Sequence, residues 1–281
     1  METYLSKNNN SWEKVGEHVH AVDSTNAEWQ RRLTTAARGG APIPDGSWLS
    51  AAYQAAGRGR VGRVWEGAAG ENLAVSFVVD GGELPADRLF ALSQAVSLAV
   101  AATLDEALAV AIGDSPRYTP EIKWPNDVYV ANRKLAGILI ETTLRGERLA
   151  HAVVGVGANV NQVHFAPALT AAGSLRALDG RVRDLDALAR ALARSLEHEI
   201  ARLRALTREG DYYELTARYH ARLRGLGARQ RYRRTRDGEA FQAELRGVDA
   251  AGRLRLRETE DAEHAYALDE VRYLGDVSFV G

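Results

Sequence analysis

Residues 54–65 read Gln-Ala-Ala-Gly-Arg-Gly-Arg-Val-Gly-Arg-Val-Trp, and the interpretation of the whole chain starts from this stretch. Neither a helix nor a central strand tolerates so much glycine, so the pattern predicts a loop whose backbone can approach a ligand closely. Arginine guanidinium groups keep their charge and match the oxygens of phosphate and carboxylate groups. The sequence therefore predicts an anion-binding segment, which we call the Gly/Arg loop (residues 57–65).

A solvated surface loop and a nucleic-acid contact are the alternative interpretations of this segment. Its glycine spacing, Gly57-x-Gly59-x-x-Gly62, also matches the dinucleotide-binding fingerprint. That fingerprint opens a helix, and residues 65–72 have no helical pattern, so the match is not expected to be functional. A P-loop is not expected either, because no Gly-Lys-Ser/Thr follows.

Length and composition limit the class of protein. The 281 residues allow one large domain or two unequal ones, and the formal net charge of −1 gives no bulk attraction to nucleic acid or membrane. The absence of cysteine excludes disulfides, thiolate metal sites and a cysteine nucleophile. Residues 1–10 have no apolar signal core, and polar residues interrupt the apolar stretch 89–112, which is therefore predicted not to span a membrane. A cytoplasmic protein is expected.

Apolar periodicity and glycine or proline boundaries predict the secondary structure. Strands are predicted at residues 47–53, 73–79, 121–124, 128–130, 135–143 and 149–156, and helices at 27–37, 85–112, 185–206 and 212–223. The Gly-rich segment 155–161 is predicted to end the last strand in a tight turn. Because these strands and helices do not strictly alternate, the fold class is predicted to be α+β with a mixed sheet. Short strand-like segments near 229–235, 239–246, 253–258 and 264–268 predict a small β module after the mixed sheet.

A second group of polar residues follows the long helix, in Lys123-Trp-Pro-Asn-Asp and Lys134-Leu-Ala-Gly. A lysine at a strand edge is a point charge that can meet a carboxylate or a phosphate, although two solvated surface lysines are the alternative. Asn126 and Asp127 could hold Mg²⁺ or form an Asx turn, and both interpretations remain open. Arginine, lysine, glycine and asparagine together indicate phosphoryl or nucleotidyl transfer, which depends on charge stabilisation and positioning.

Four motifs, in this order, resemble the biotin protein ligase family. They are residues 23–26 (Asp-Ser-Thr-Asn), residues 54–65, residues 123–127 with 134–137 and Glu141, and the Gly-x-Gly-x-Asn-Val-Asn of residues 155–161. The resemblance implies a class II aminoacyl-tRNA synthetase-like mixed sheet with helices in residues 1–226 and an SH3-like barrel in residues 227–281. It also implies that biotin and MgATP form biotinyl-5′-AMP. Biotin would then pass to a lysine of a biotin carboxyl carrier domain of acetyl-CoA carboxylase or a related carboxylase.

The resemblance assigns a role to each matching residue. The residues expected at biotin are Ser24, Thr25, Asn26, Gln54, Gly57, Arg58, Gly59, Arg60, Lys134 and Gly137. Those expected at ATP are Arg60, Arg63, Trp65, Lys123, Asn126, Lys134 and Asn159, with Asn126 also at Mg²⁺. Lys134, Arg58 and Arg60 are the expected catalytic residues, and Lys134 would contact both the biotin carboxylate and the α-phosphate. Fixed cations offset the repulsion between these two anions.

The chain departs from the family pattern in two places, and two rival functions stay open. Residues 67–68 are Gly-Ala where the family often has Ser-Pro, and residues 269–271 are Asp-Glu-Val where it has Gly-Glu-Val. A lipoate or octanoate ligase or transferase is the nearest rival, and a non-enzymatic biotin sensor or repressor is the second. Too few residues precede the first motif for an N-terminal DNA-binding domain, so no nucleic-acid partner is expected. The net charge and the interrupted apolar stretch argue against a membrane partner. The choice between monomer and homodimer is left open.

Overall fold

The computed structural model describes residues 11–112, 118–260 and 262–276, and its larger sheet is mixed. The strands are β1 (Gly16–Val22), β2 (Trp48–Gln54), β3 (Asn72–Asp80), β4 (Glu121–Lys123), β5 (Asp127–Val130), β6 (Arg133–Arg145) and β7 (Arg148–Asn159). Their order across the sheet is β1-β2-β3-β7-β6-β5-β4. Strand β1 runs parallel to β2, and the other neighbours are antiparallel. The predicted α+β class with a mixed sheet is confirmed.

Helices cover both faces of this sheet. They are α1 (Thr25–Ala37), α2 (Leu89–Ile112), α3 (Leu175–Asp179), α4 (Leu185–Glu209) and α5 (Tyr213–Ala221). Successive residues of a strand point to opposite faces. Accordingly, Phe77 and Val79 of β3 lie in the main core with α2 and α4, whereas Val78 packs with Trp29 of α1. The amino-terminal end of α1 is thereby held over the sheet face that carries the candidate site.

By length and composition alone, the helical segment Ala86–Ala109, most of which belongs to α2, is apolar enough to cross a membrane, despite the polar residues that interrupt it. In the fold, 67% of the most apolar 18-residue part of this segment is buried inside the protein. The helix packs against α4, α5 and strands of the larger sheet. Burial in the protein core therefore accounts for its composition.

The glycines of residues 155–161 differ from their prediction. Gly155 and Gly157 lie inside β7, which continues to Asn159, so the predicted tight turn is wrong. A Cβ at Gly155 would lie 2.3 Å from Asn26 Oδ1, and a Cβ at Gly157 would lie 2.3 Å from the Trp65 ring. Glycine at these two positions allows the Asn26 and Trp65 side chains to pack directly against the backbone of β7, as glycine within a strand often does.

The carboxyl-terminal part forms a separate antiparallel sheet. Its strands are β8 (Arg229–Arg234), β9 (Ala240–Val248), β10 (Leu254–Thr259), β11 (Ala262–Tyr266) and β12 (Val271–Asp276), in the order β11-β10-β9-β8-β12. The Trp124 Nε1 donates a hydrogen bond to the Gly252 carbonyl oxygen at 2.9 Å, which joins this sheet to the larger one. The predicted β module is present, and β1, α3 and β12 are additions to the predicted elements. The boundary at residues 226/227 and the SH3-like closure stay predictions.

Candidate functional site

A cavity of about 600 Å³ opens between the amino-terminal end of α1, the Gly/Arg loop and strands β3, β6 and β7. All but two of the predicted site residues line it. The predicted residues that line the cavity are Ser24, Thr25, Asn26, Gln54, Arg58, Gly59, Arg60, Arg63, Trp65, Asn126, Lys134, Gly137 and Asn159. The cavity therefore brings together residues that are distant in the sequence, from the start of α1 to the end of β7.

The two remaining residues lie next to this cavity. Gly57 lines a shallow depression along the Gly/Arg loop itself. Lys123 lines a second cavity, of about 790 Å³, between the two sheets. Four residues line both large cavities, so the two spaces adjoin there; they are Arg60, Arg63, Asn126 and Asp127.

The Gly/Arg loop is folded back on itself as a narrow hairpin. The Trp65 N–H donates to the Gly57 carbonyl oxygen at 3.0 Å, and the Gly59 N–H donates to the Arg63 carbonyl oxygen at 2.7 Å. A Cβ at Gly57 would lie 2.3 Å from the Trp65 carbonyl oxygen, so this position requires glycine. The hairpin directs the Arg60 side chain toward both cavities.

The Trp65 indole packs against two glycines of neighbouring strands. Gly137 of β6 and Gly157 of β7 are paired across the two strands. A Cβ at Gly137 would come within 3.2 Å of the Trp65 ring, and one at Gly157 within 2.3 Å. The Lys134 Nζ lies 6.0 Å from the centre of the same ring, at the limit of a cation–π contact. The missing side chains thus make room for an aromatic wall beside a lysine.

Lys134 is held at both its side chain and its backbone. Its Nζ forms an ion pair with Asp127 Oδ1 at 2.7 Å. Its N–H donates to the Ala171 carbonyl oxygen at 2.7 Å, and its carbonyl oxygen accepts from the Gly173 N–H at 3.1 Å. The amine is therefore fixed at the cavity wall, close to a single carboxylate.

Arg60 and Lys123 are cations without a carboxylate partner among the residues that the structure describes. Burial lowers the pKa of Arg60, and the nearby Asp127 carboxylate opposes this shift. Burial also lowers the pKa of Lys123, whose Nζ lies 5.2 Å from the Tyr129 ring centre and 4.7 Å from that of Tyr273. Partly desolvated cations that form no direct ion pair favour a bound anion.

The other end of the cavity is neutral and polar. Ser24 and Thr25 are 3% and 4% exposed, at the start of α1. Gln54 Oε1 accepts from the Thr25 N–H at 2.8 Å, so Gln54 Nε2 is the end of that amide left to donate to a ligand. Ser24 is the N-cap of α1, but its side chain makes no capping hydrogen bond and stays available at the cavity. This end suits an uncharged group with both donors and acceptors.

Several residues of the site were missed from the sequence. The loop 165–172 forms one cavity wall, and the Arg133 Nη1 holds it by a 2.8 Å hydrogen bond to the Thr170 carbonyl oxygen. Ser76 lies behind the polar end, and Glu141, a matched motif residue without an assigned role, pairs with Arg58 at 2.9 Å. The loop has no local sequence signal, since its position depends on contacts with distant strands.

A protein-family model and individual proteins of known function are similar to this chain. Residues 28–159 match the model of the biotin/lipoate A/B protein ligase family. The biotin–[acetyl-CoA-carboxylase] ligase of Mycobacterium tuberculosis is 35% identical over 240 residues, covering 85% of this chain and 81% of that relative. The bifunctional ligase/repressor BirA of Bacillus subtilis is 32% identical over 119 residues, and the match spans 42% of this chain and only 34% of that relative's length.

A solved structure shows the same arrangement. The biotin protein ligase from Aquifex aeolicus, in complex with biotin and ATP, superimposes with a TM-score of 0.70 at 25% sequence identity. The match covers 93% of this chain and all of that one. The similarity thus extends over both sheets. The chain belongs to the biotin protein ligase family.

Proposed function

We propose that the protein is a biotin–[acetyl-CoA-carboxylase] ligase, which activates biotin with ATP and transfers it to a carrier-domain lysine. The observation that carries the proposal is the polarity of the 600 Å³ cavity. A neutral polar end at Thr25 and Gln54 suits the ureido ring of biotin. A cationic end at Arg60 and Lys134 suits the carboxylate and the α-phosphate that must react. The relative from M. tuberculosis is named for this activity, and the A. aeolicus structure contains both substrates.

In the first step, a carboxylate oxygen of biotin attacks the α-phosphorus of ATP. The bond from that phosphorus to the β-phosphate oxygen breaks, and pyrophosphate leaves with its electron pair. Lys134 and Arg60 would offset the charge that builds up as the two anions approach. Because Asp127 and the backbone contacts hold Lys134 in advance, the site needs little reorganisation at the moment of reaction.

In the second step, the amine of the carrier lysine attacks the acyl carbon of biotinyl-5′-AMP. An amide bond forms, the acyl–phosphate bond breaks, and AMP leaves with the electron pair while the amine loses a proton. The Gly/Arg loop would cover the mixed anhydride and keep water from it until the carrier arrives. Biotin would contact the polar end together with the loop backbone at Gly57, Gly59 and Arg58.

The nucleotide would lie across the junction of the two large cavities. Arg63, Lys123 and Asn159 would approach the phosphates and the ribose, beside Trp65. Among the described residues, no group of three or more His, Asp or Glu side chains could hold a metal ion. The Asn126 Nδ2 donates to the Ile138 carbonyl oxygen at 2.7 Å, which leaves Oδ1 for Mg²⁺. Such an ion would neutralise phosphate charge, with the phosphates as its main ligands.

The polar end favours biotin over the rival acyl groups. Neither lipoate nor octanoate carries a ring N–H or a urea carbonyl, so each would leave Thr25 and Gln54 without ligand partners. We assign the biotin carboxyl carrier domain of acetyl-CoA carboxylase or a related carboxylase as protein partner, and the cytoplasm as location. Residues 1–226 would form the catalytic part. Residues 227–281 would form a second domain, which contributes lining residues to the cavity at Lys123.

Transfer of labelled biotin to a carrier domain tests this function. Label should appear on the carrier only when ATP and Mg²⁺ are present, and it should be lost when the acceptor lysine is replaced by arginine. Parallel reactions with lipoate and octanoate should give no comparable transfer. ATP-dependent transfer of lipoate in place of biotin would assign the chain to the rival activity, and binding of biotin without any transfer would indicate a sensor.

The Gly/Arg loop is expected to become protected from trypsin when biotin and MgATP bind. Only a few backbone hydrogen bonds hold the hairpin, and its Val64 side chain is 66% exposed. Ligand contacts would add charge-assisted hydrogen bonds that offset the entropy of ordering the loop. Cleavage after Arg58, Arg60 or Arg63, identified by mass spectrometry, should therefore slow with ligands.

Cleavage in the exposed turn at Arg145 and Gly146 is the internal control, because this turn lies at the far end of β6 and should be cut equally with and without ligands. If trypsin cuts the Gly/Arg loop at one rate in both states, the loop is ordered before substrates bind.

A further inference from the structure

A chain of hydrogen bonds runs behind the wall of the polar end and begins at the Gly/Arg loop. The Arg58 Nη2 contacts Glu141 Oε1 at 2.9 Å, and the second carboxylate oxygen, Oε2, accepts from Asn26 Nδ2 at 2.8 Å. Asn26 Nδ2 also lies 3.4 Å from the Leu139 carbonyl oxygen. Both neighbours of this nitrogen are acceptors only, which fixes the orientation of the Asn26 amide.

The fixed amide determines which way the next hydroxyl groups donate. Asn26 Oδ1 faces the Ser76 Oγ at 2.5 Å, and the oxygen must accept, so Ser76 gives its single proton to it. The contact between Ser76 Oγ and Thr25 Oγ1 is 2.6 Å, and its proton must then come from Thr25. No hydroxyl proton then remains for the longer contact of 3.2 Å between Thr25 Oγ1 and Gln54 Oε1.

Two atoms at the cavity therefore have a set role. With its proton committed to Ser76, Thr25 Oγ1 offers only lone pairs to a ligand. Gln54 Oε1 is held by the Thr25 N–H, so Gln54 Nε2 offers only protons. A ligand that satisfies both needs an N–H donor beside a carbonyl acceptor, which is the chemistry of a cyclic urea.

We propose that the Glu141 carboxylate sets the hydrogen-bond direction of this relay and thereby selects a urea-containing head group. Glu141 does not line the cavity, so it is a positioning residue that acts through Asn26, Ser76 and Thr25. Gly155 is part of the same device, because any Cβ there would displace the Asn26 amide. The inference rests on the proposed function and names the element of the site that rejects other acyl groups.

Glu141→Gln tests the relay. The new amide can donate to Asn26 Oδ1, which lets Asn26 turn over and makes Thr25 a donor toward the cavity. Loss of one well-placed hydrogen bond should weaken biotin binding about tenfold to a hundredfold, measured by calorimetry with biotin alone. Affinities for octanoate and for ATP, neither of which meets Thr25 through an N–H group, should not change.

Thr25→Val supplies the decisive comparison, because it removes the acceptor and keeps the side-chain shape. If Glu141 acts through Thr25, adding Glu141→Gln to Thr25→Val should cause no further loss of biotin affinity. Additive losses, or equal weakening of octanoate, would show that Glu141 only anchors Arg58 and would overturn the relay. Glu83→Gln, which removes an exposed carboxylate paired with Arg148, is the matched control and should bind biotin normally.

Two further results complete the test. If Glu141→Gln does not fold, as judged by circular dichroism, Ser76→Ala interrupts the same relay by removing one hydroxyl, and it should weaken biotin but not octanoate. Unchanged biotin binding by Ser76→Ala would then overturn the proposal. A wild-type protein that binds octanoate and not biotin would overturn the proposed function. Biotin binding that is equal in wild type and Glu141→Gln would overturn the relay alone.

Discussion

Replacement of Lys134 by alanine is expected to lower the rate of adenylate formation about a hundredfold or more, the usual effect of losing one preorganised charge donor in a transition state. Lys134 Nζ is fixed at the cavity by Asp127 and lies beside Trp65, where the biotin carboxylate and the α-phosphate would meet. Removal of the amine leaves the repulsion between these two anions without its nearest compensation. Single-turnover release of pyrophosphate measures the effect directly.

The fold of this variant should persist, because the side chain is partly exposed and its backbone hydrogen bonds to residues 171–173 remain. Lys14→Ala is the matched control, since Lys14 ends a short 3₁₀ helix on the exposed surface. The control should form adenylate at the wild-type rate. A Lys134→Ala variant with near-normal turnover would rule out the assigned role.

Replacement of Arg60 by glycine is expected to release biotinyl-5′-AMP before transfer. Burial and the absence of an ion pair within the described residues make Arg60 the strongest candidate for a clamp on the adenylate phosphate. A charge-assisted hydrogen bond contributes about 1.5–3 kcal/mol, so dissociation should accelerate about tenfold or more. Released adenylate would then acylate lysines of unrelated proteins, detected by blotting for biotin on an added bystander protein.

Arg145→Gly provides the comparison for this variant, because it also removes an arginine from a glycine-containing turn, at the far end of β6. It should retain the adenylate as the wild type does. Dissociation of adenylate from Arg60→Gly at the wild-type rate would show that another group holds the phosphate.

Features encoded by short stretches of sequence were predictable. Glycines and arginines spaced as in residues 57–63 predict a loop with a close backbone approach, and the structure places this loop at the cavity, while anion binding by it stays a prediction. The mixed sheet likewise followed from apolar periodicity, and family membership followed from four ordered motifs. The assigned roles of single residues, Mg²⁺, the boundary at 226/227 and the choice between monomer and homodimer stay predictions.

Features that depend on distant contacts were not predictable. Asn26 and Glu141 are separated by 115 residues, so no local pattern reveals their hydrogen bond. Gly155 and Gly157 were predicted to lie in a turn because glycine favours turns when only the local sequence is considered. The side chains that occupy the space above these glycines belong to α1 and to the Gly/Arg loop, which are distant in the sequence. Loop 165–172 contains mostly small residues, and its contacts with β6, through the Lys134 backbone and the Arg133 side chain, help to hold it at the site.

The pairing of Lys134 with Asp127 has a consequence for self-acylation. An acyl adenylate reacts with any amine that has a free lone pair, including the amines of the protein that makes it. Lysine occurs at only four positions, Lys7, Lys14, Lys123 and Lys134, and arginine makes up the rest of the 36 basic residues. Guanidinium groups stay protonated and do not attack acyl groups. The Lys134 amine lines the cavity and forms an ion pair with the Asp127 carboxylate, and an ion-paired ammonium group has no lone pair to offer. Of the residues that line the two large cavities, Lys123 is the other lysine, and burial lowers its pKa, so the carrier lysine meets Lys123 as its main competitor.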